Sequence, residues 1–299
     1  MRYTEHGIPY LALPPPHSNI RLTPPRKEDG PSVMAILNHP SVYMNLAGPP
    51  YPYTQTDWDT WYPELSEFTN KALWELQGAQ DSLRNGEAKE SDWKSRKWVG
   101  AGVPLSTIRE VDHGTGEERL IGEINFRRRE FLMILDVVEK KRVKEENDAR
   151  EAGDPDIVWE IGFYLSPSCH GRGIMPAVVR TLIADFLVPY MNVHVMTGAY
   201  MDHNAASKKV LEKNGFIFDS LVPDCIEMLE VKTRVKGKKC KGREATADLA
   251  LMSYICKDFV TESAKPKQLP NFNGSRRLSQ EIAATADPSI DRLTIPVEE

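Results

Sequence analysis

The sequence predicts an α+β fold, a mixed α/β arrangement in which about seven strands alternate with amphipathic helices. Three observations carry that expectation. Short β-rich runs of alternating or continuous apolar character recur at residues 20–23, 103–111, 119–127, 159–165, 193–200, 216–221 and 247–255. Between them lie stretches of helical period at 27–37, 57–77 and 174–190, and a shorter one opened by Asn204. Finally, turn and cap residues stand at the junctions, so the two periodicities do not overlap.

Taken in order, residues 1–17 form an irregular lead, punctuated by Leu13-Pro14-Pro15-Pro16. A short strand at 20–23 follows, then two helices separated by the proline-rich loop 48–53. The strands at 103–111 and 119–127 are joined through Asp112-His113-Gly114-Thr115-Gly116, a run rich in turn formers. The run Trp159-Glu160-Ile161-Gly162-Phe163-Tyr164-Leu165 leads into His170-Gly171-Arg172-Gly173. After those glycines, Ile174, Val178, Leu182 and Phe186 recur at helical spacing, and Pro176 occupies the first turn, where its missing N–H is no loss. A strand at 193–200 precedes Asn204, a helix-capping residue; Ala206, Val210 and Leu211 share one face of its helix, and Gly215 ends it. The strands at 216–221 and 247–255 complete the order. From residue 261 to 299 the composition is that of a low-order tail, with one short helical stretch at 278–286.

Gly171 and Gly173 allow the backbone to turn sharply and bring its N–H groups against a ligand at a helix N-terminus, where the dipole favours an anion such as a pyrophosphate. An ordinary strand-to-helix turn has the same spacing. A dinucleotide fingerprint is disfavoured because Pro176 stands where its third glycine belongs, and a Walker loop because no Gly-Lys-Ser/Thr follows.

The later helix adds to this. His170-Gly171-Arg172-Gly173-Ile174-Met175, with Asn204, Ser207, Val210, Leu211 and Lys213-Asn214-Gly215-Phe216, resembles the two signature motifs of the GNAT acyl-coenzyme A N-acetyltransferases. The runs Asn19-Ile20-Arg21-Leu22-Thr23-Pro24 and Gly48-Pro49-Pro50-Tyr51-Pro52-Tyr53-Thr54 resemble the branch that includes the ribosomal-protein-alanine acetyltransferases. The resemblance spans roughly residues 18–257, with interruptions, within a domain expected at 18–260. It implies a mostly antiparallel sheet split between its fourth and fifth strands and flanked by helices. It also implies acetyl-CoA as acyl donor and direct attack by a primary amine in a ternary complex, the acceptor being a protein N-terminus, a polyamine or another small amine.

By the same resemblance, Phe163, Tyr164 and Leu165 pair with the pantetheine, and an N–H near Phe163 or Tyr164 serves the oxyanion. The loop His170, Gly171, Arg172, Gly173, Ile174 and Met175 meets the pyrophosphate, with Arg172 either adding a charged contact or pointing into solvent. Glu160 is a candidate general base or else a residue that holds a neighbouring strand. Ser207 is a candidate acid, or hydrogen-bonds the pantetheine beside Asn204. Departures from the family pattern are Leu211, where many members place a tyrosine acid, His170 and Met175 in the coenzyme loop, and Ala177, where the branch often has glutamate. A coenzyme A-binding module with little or no catalysis is the alternative of a different class.

Length and charge fit this expectation without adding to it. The chain has 299 residues, 40% of them hydrophobic, enough for one sizeable core. A net charge of −5 argues against nucleic acid as the main ligand. Cys169, Cys225, Cys240 and Cys256 are spaced for neither a metal site nor a disulfide framework, so no metal is expected. No apolar run approaching a membrane span and no signal-peptide core are read in the sequence, and a cytoplasmic protein is expected, with a nuclear one left open.

Three segments exceed the plan of the resemblance. Those at 78–97 and 130–155 enter strands at the end of the sheet away from the glycine turn. They are expected to pack on each other or to offer a partner or homodimer surface. The second is apolar from Phe131 to Val138 and charged beyond, the pattern of a helix with a solvated end. The third, 223–246, is a basic hairpin at the reactive end, expected to be solvated or else to meet the coenzyme phosphates or an acidic acceptor.

Overall fold

The computed structural model describes residues 1–86, 93–227 and 246–255, all within one compact unit that spans 1–256. Nine strands form one sheet. In chain order they are β1 (Arg2–Tyr3), β2 (Pro9–Ala12), β3 (Ile20–Thr23), β4 (Thr107–Val111), β5 (Glu118–Arg128), β6 (Val158–Leu165), β7 (Val195–Met201), β8 (Ile217–Glu227) and β9 (Thr246–Ile255). Their order across the sheet is β1-β2-β3-β4-β5-β6-β7-β9-β8, antiparallel throughout except for the parallel pair β6–β7. The helices are α1 (Gly30–Leu37), α2 (Pro40–Tyr43), α3 (Gln55–Arg84), α4 (Val137–Asp148), α5 (Ile174–Leu182), α6 (Val188–Met191) and α7 (Ala205–Glu212).

The two strands beyond the expected seven lie in the lead, which is therefore not irregular. Leu11 pairs with Leu22, and the Tyr3 hydroxyl donates to Gln80 at 2.6 Å. The prolines concealed them, yet Pro9 opens β2 and Pro14–Pro16 follow it, places where a missing N–H costs no ladder bond.

Helix α3 starts with a capping box. Asp57 accepts from the Thr54 N–H at 2.7 Å, and the Thr54 hydroxyl receives the Asp57 N–H. It runs through Gly78 to Arg84, so the first seven residues of the segment expected as an insertion at 78–97 are helix. Gly78 costs such a helix about 1 kcal/mol; burial of Leu76 and Ala79 on either side against the sheet offsets it.

In the 130–155 segment the helix is the charged half. Phe131 has φ of 54°, which a helix does not accept, and α4 begins only where Asp136 caps the Glu139 N–H at 2.8 Å. Leu135, Val137 and Val138 are left exposed. Asn147 anchors the segment by imitating a strand: its side chain donates to Val158 O and accepts from Val158 N, both at 2.9 Å. Residues just past the other segment meet it, since Gly153 lies against the Trp98 ring and Gly100 against Ala152. Both contacts stand beside the start of β6, at the opposite end from the glycine turn.

One sheet face carries the main core, in which α3 and α5 cover Ile108, Ile124, Phe126, Trp159 and Ile161. The run from α5 to α6 is interrupted at Ile183–Leu187 by a π turn; Pro189 supplies no N–H to the carbonyl four residues back, so the ladder widens there. Ile174–Met191 is long and apolar enough to cross a membrane, which the sequence reading had not registered. Its Val178, Val179, Leu182, Phe186 and Leu187 are in the core. The opposite face is covered by α1, α2 and the start of α3, through Val33, Leu37, Val42, Tyr53 and Trp58 packed with Leu120 and Tyr164.

Strand β8 reaches Glu227, longer than expected, with Pro223 lying where its register to β9 shifts. The basic run 232–243 and the tail 261–299 lie outside the described residues.

Candidate coenzyme cleft

The parallel strands β6 and β7 stay paired only from Val158↔Val195 to Ile161↔Gly198. Beyond that, Gly162–Leu165 keep their partners on β5 alone and Ala199–Met201 theirs on β9, so the sheet opens in a V. Main-chain directions on β6 follow from three bonds. Val158 O accepts from Arg129 N at 3.0 Å and Ser166 N donates to Ile121 O at 2.6 Å, which turns the even-numbered residues toward β5. The Thr197 hydroxyl donates to Trp159 O at 3.1 Å, which turns the odd-numbered ones toward β7. By strand alternation the N–H groups of Phe163 and Leu165 face the opening, whereas that of Tyr164 is turned away. The Leu165 carbonyl takes the His170 Nε2 proton at 2.8 Å, folding the loop back over the strand end.

The V opens into a cleft of about 520 Å³. Its floor is Phe163, Tyr164 and Leu165; one wall is the turn from Cys169 to Pro176, another the α7 face, and the last Ser41, Val42, Asn45 and Leu46 of α2 and its following loop. Gly171 and Gly173 have φ of 74° and 77°, left-handed values that favour glycine, and Gly173 is the N-cap of α5. Together they present the first-turn N–H groups of α5 to the cleft.

Of the turn residues expected to meet coenzyme, His170, Gly171, Gly173, Ile174 and Met175 line the cleft, but Arg172 does not. Its guanidinium pairs with Glu110 of β4 at 2.6 Å. That hydrogen bond, with one from Arg119, holds the Glu110 carboxyl below its ordinary range. Arg172 thereby ties the turn to the sheet while its side chain stays partly exposed.

On α7, Asn204 caps the helix by accepting from Ser207 N at 3.1 Å, and its amide donates to the Ser207 hydroxyl at 2.9 Å. The hydroxyl oxygen is thus engaged as an acceptor while its proton remains directable. Both residues line the cleft, as do Lys209 and Lys213, which the sequence reading did not assign to the site. Their spacing from Ala206, three and seven residues on, was the available signal, since it sets all three on one helix face. Leu211 points the other way. It is buried against Gly198, where an added β-carbon would come within 2.8 Å of its side chain.

Glu160 stands below the opening, among the paired residues, and is not part of the cleft lining. Its carboxylate pairs with Arg127 at 3.5 Å and is felt by the buried Arg129. A second carboxylate, missed in the sequence, lies closer to the floor. Glu123 of β5 is the cross-strand partner of Tyr164. Burial pushes its carboxyl up to about 7, with the Asp29 charge adding and the Tyr164 hydroxyl and Arg109 opposing. Tyr53 is pushed up to about 12 by burial and by the charges of Glu123 and Asp57, and Tyr164 well above its usual value by burial and then Glu123. Asn38 sets Tyr53 there, binding its N–H and carbonyl at 2.7 Å each. Among the described residues no cluster of His, Cys, Asp and Glu is arranged to hold a metal ion.

A sheet splayed at a parallel pair, with a glycine turn and helix N-terminus at the mouth, defines an acyl-coenzyme A transferase scaffold. A family model described as an acetyltransferase (GNAT) domain matches residues 19–217, and the chain belongs to that family. It is similar to a probable N-acetyltransferase, YjcK, of Bacillus subtilis (strain 168), being 38% identical over 56 residues, which are 19% of this chain and 30% of that relative's length. Similar solved structures include the ribosomal-protein-S5-alanine acetyltransferase of Vibrio fischeri, at 14% identity and TM-score 0.47 over 85% of this chain and 100% of that one. Mycobacterium smegmatis RimJ in complex with CoA-disulfide has 15% identity and TM-score 0.46 over 85% and 89%.

Proposed function

We propose that this protein transfers the acetyl group of acetyl-CoA to a primary amine by direct attack in a ternary complex. The observation that carries the reading is the V between β6 and β7, ending at the left-handed Gly171 and Gly173. Pantetheine amides fit the opening as an added strand against Phe163 and Leu165, and the pyrophosphate fits the N–H groups of the α5 first turn. Lys209 and Lys213 supply the positive charge that balances the coenzyme phosphates.

In the reaction the amine nitrogen attacks the thioester carbonyl, forming a C–N bond as the C–S bond breaks. An N–H of the floor, that of Phe163, is placed for the developing oxyanion. The Ser207 hydroxyl, its oxygen already engaged by Asn204, is oriented to give its proton to the departing sulfur, while the attacking nitrogen sheds one to solvent, from which Ser207 is reprotonated. Leu211 offers no alternative acid from the same helix.

Isothermal titration with acetyl-CoA tests the site. The wild type is expected to bind, and Gly173→Asp, which adds a β-carbon at positive φ and a negative charge beside the phosphates, to weaken binding at least tenfold. A wild type that takes up no acetyl-CoA overturns the reading. For chemistry, Ser207→Ala is expected to lower kcat by roughly 100-fold in thiol-release assays with a peptide N-terminus and a polyamine, with coenzyme affinity kept within a few fold.

A further inference from the structure

We infer that the N-terminal lead contributes a residue to the coenzyme site: His17, whose Nε2 donates to the diphosphate seated at the head of α5. The inference rests on the acetyl-CoA reading above and adds to it a contact from outside both motifs. The imidazole points tip-first at the glycine turn. Its Nε2 lies 3.6 Å from where a β-carbon on Gly173 would stand, and no other atom among the described residues beyond the turn's own neighbours comes within 4 Å of that point. The ring is partly exposed, and its nitrogens have no hydrogen-bond partner among the described residues. Its backbone, by contrast, is fixed. His17 N donates to Pro14 O at 3.0 Å and its carbonyl accepts from Ile20 N at 2.8 Å, while Leu13 N donates to Ile20 O at 3.0 Å. Pairing of β2 with β3, Leu11 with Leu22 and Ala12 with Arg21, sets the height at which this loop meets α5.

The composition of the turn says what such a donor is for. Gly173 brings no side chain to cap α5, and Pro176 removes one of the N–H groups of its first turn. The cation of the motif itself, Arg172, is held by Glu110 at 2.6 Å. A diphosphate on the N–H groups of Gly173, Ile174 and Met175 therefore has more acceptor oxygens than the turn has donors. Lys209 and Lys213 stand across the cleft on α7. On the side of the lead, the donor aimed at the turn is His17, and an imidazole N–H this close to the N-cap residue is within a side-chain rotation of a phosphate oxygen seated on the first turn.

The test compares two acyl donors that differ in phosphate, acetyl-CoA and S-acetylpantetheine, using the full chain. His17→Ala is expected to weaken acetyl-CoA binding roughly tenfold by calorimetry, to raise KM for acetyl-CoA by a similar factor with kcat unchanged, and to leave kcat/KM for S-acetylpantetheine as in wild type. His17→Gln, which keeps an N–H donor, is expected to recover most of the affinity. In NMR spectra of wild type isotopically labelled at histidine, ADP, which carries the diphosphate without the pantetheine arm, is expected to shift an imidazole signal that is missing from His17→Gln. A His17→Ala variant that binds acetyl-CoA like wild type, an equal loss with both donors, or a His17 signal that ADP does not move overturns the inference and leaves acetyl transfer standing. A wild type that binds no acetyl-CoA removes the function and the inference together. Should His17→Ala not fold, the ADP titration of wild type decides.

Discussion

Single side chains in this protein divide sharply by what surrounds their charges. The Arg109–Asp29 pair has side chains 3% and 6% exposed and is completed by a bond from Arg109 Nε to Thr23 at 2.8 Å. Arg109→Ala leaves the Asp29 carboxylate buried without its cation, a loss expected to cost about 3–5 kcal/mol in urea denaturation. Arg172 also ends in a short ion pair, but its side chain is 42% exposed. Arg172→Ala is expected to change stability by at most about 1 kcal/mol and, since the residue does not line the cleft, to leave acetyl-CoA affinity within a few fold by calorimetry. A sequence motif singles out Arg172 alone, and only the coordinates show that Arg109 is the buried one. The motif that singled out Arg172 concerns the glycines beside it, whose left-handed backbone is where the turn acquires its shape.

At the scale of elements, the opening between β6 and β7 depends on how closely α7 lies over β7. Gly198 is the last β7 partner of β6, and Leu211 fills the space a side chain there would need. Gly198→Ala is expected to cost about 1–3 kcal/mol through displacement of α7, read as a lower Tm, and to weaken acetyl-CoA binding because Asn204 and Ser207 move with the helix. The elements that carry the site were legible in advance because their signals are local. Asn204 opens α7, Gly215 ends it, and a β-rich run precedes each glycine or asparagine junction. The elements misjudged are those settled by distant neighbours. Helix α3 passes through Gly78 because Leu76 and Ala79 find the core, β1 and β2 exist because β3 offers them an edge, and the apolar half of 130–155 stays out of α4 because Phe131 takes a left-handed turn.

Across the whole molecule, stability is coupled to pH through Glu123. Its folded-state value, about 7, lies above the ordinary 4.5, so folding favours the protonated form. Its contribution is therefore complete below about 4.5 and is lost as pH rises through about 7. Glu123→Gln, neutral at every pH, is expected to match wild type near pH 4.5 and to exceed it in unfolding free energy at pH 8, measured by urea titration at both. Burial of this carboxyl thus makes the wild type less stable in the range where it is ionised.

The alternation of strands and helices, the glycine turn at the head of α5 and the cap of α7 are each written in residues adjacent along the chain. Period, capping and backbone freedom are short-range properties. What only the tertiary structure decided is which side chains face the cleft. In sequence Glu123 alternates with Gly122, Ile124 and Phe126 much as a solvated strand residue would, and Glu160 is the more conspicuous carboxylate. The placing of Glu123 opposite Tyr164 and within electrostatic reach of Tyr53, and the attachment of Glu160 to Arg127, come from contacts between segments far apart in the chain. Burial and charge pairing are long-range properties, and they alone set which carboxylate is poised to change its charge near neutral pH.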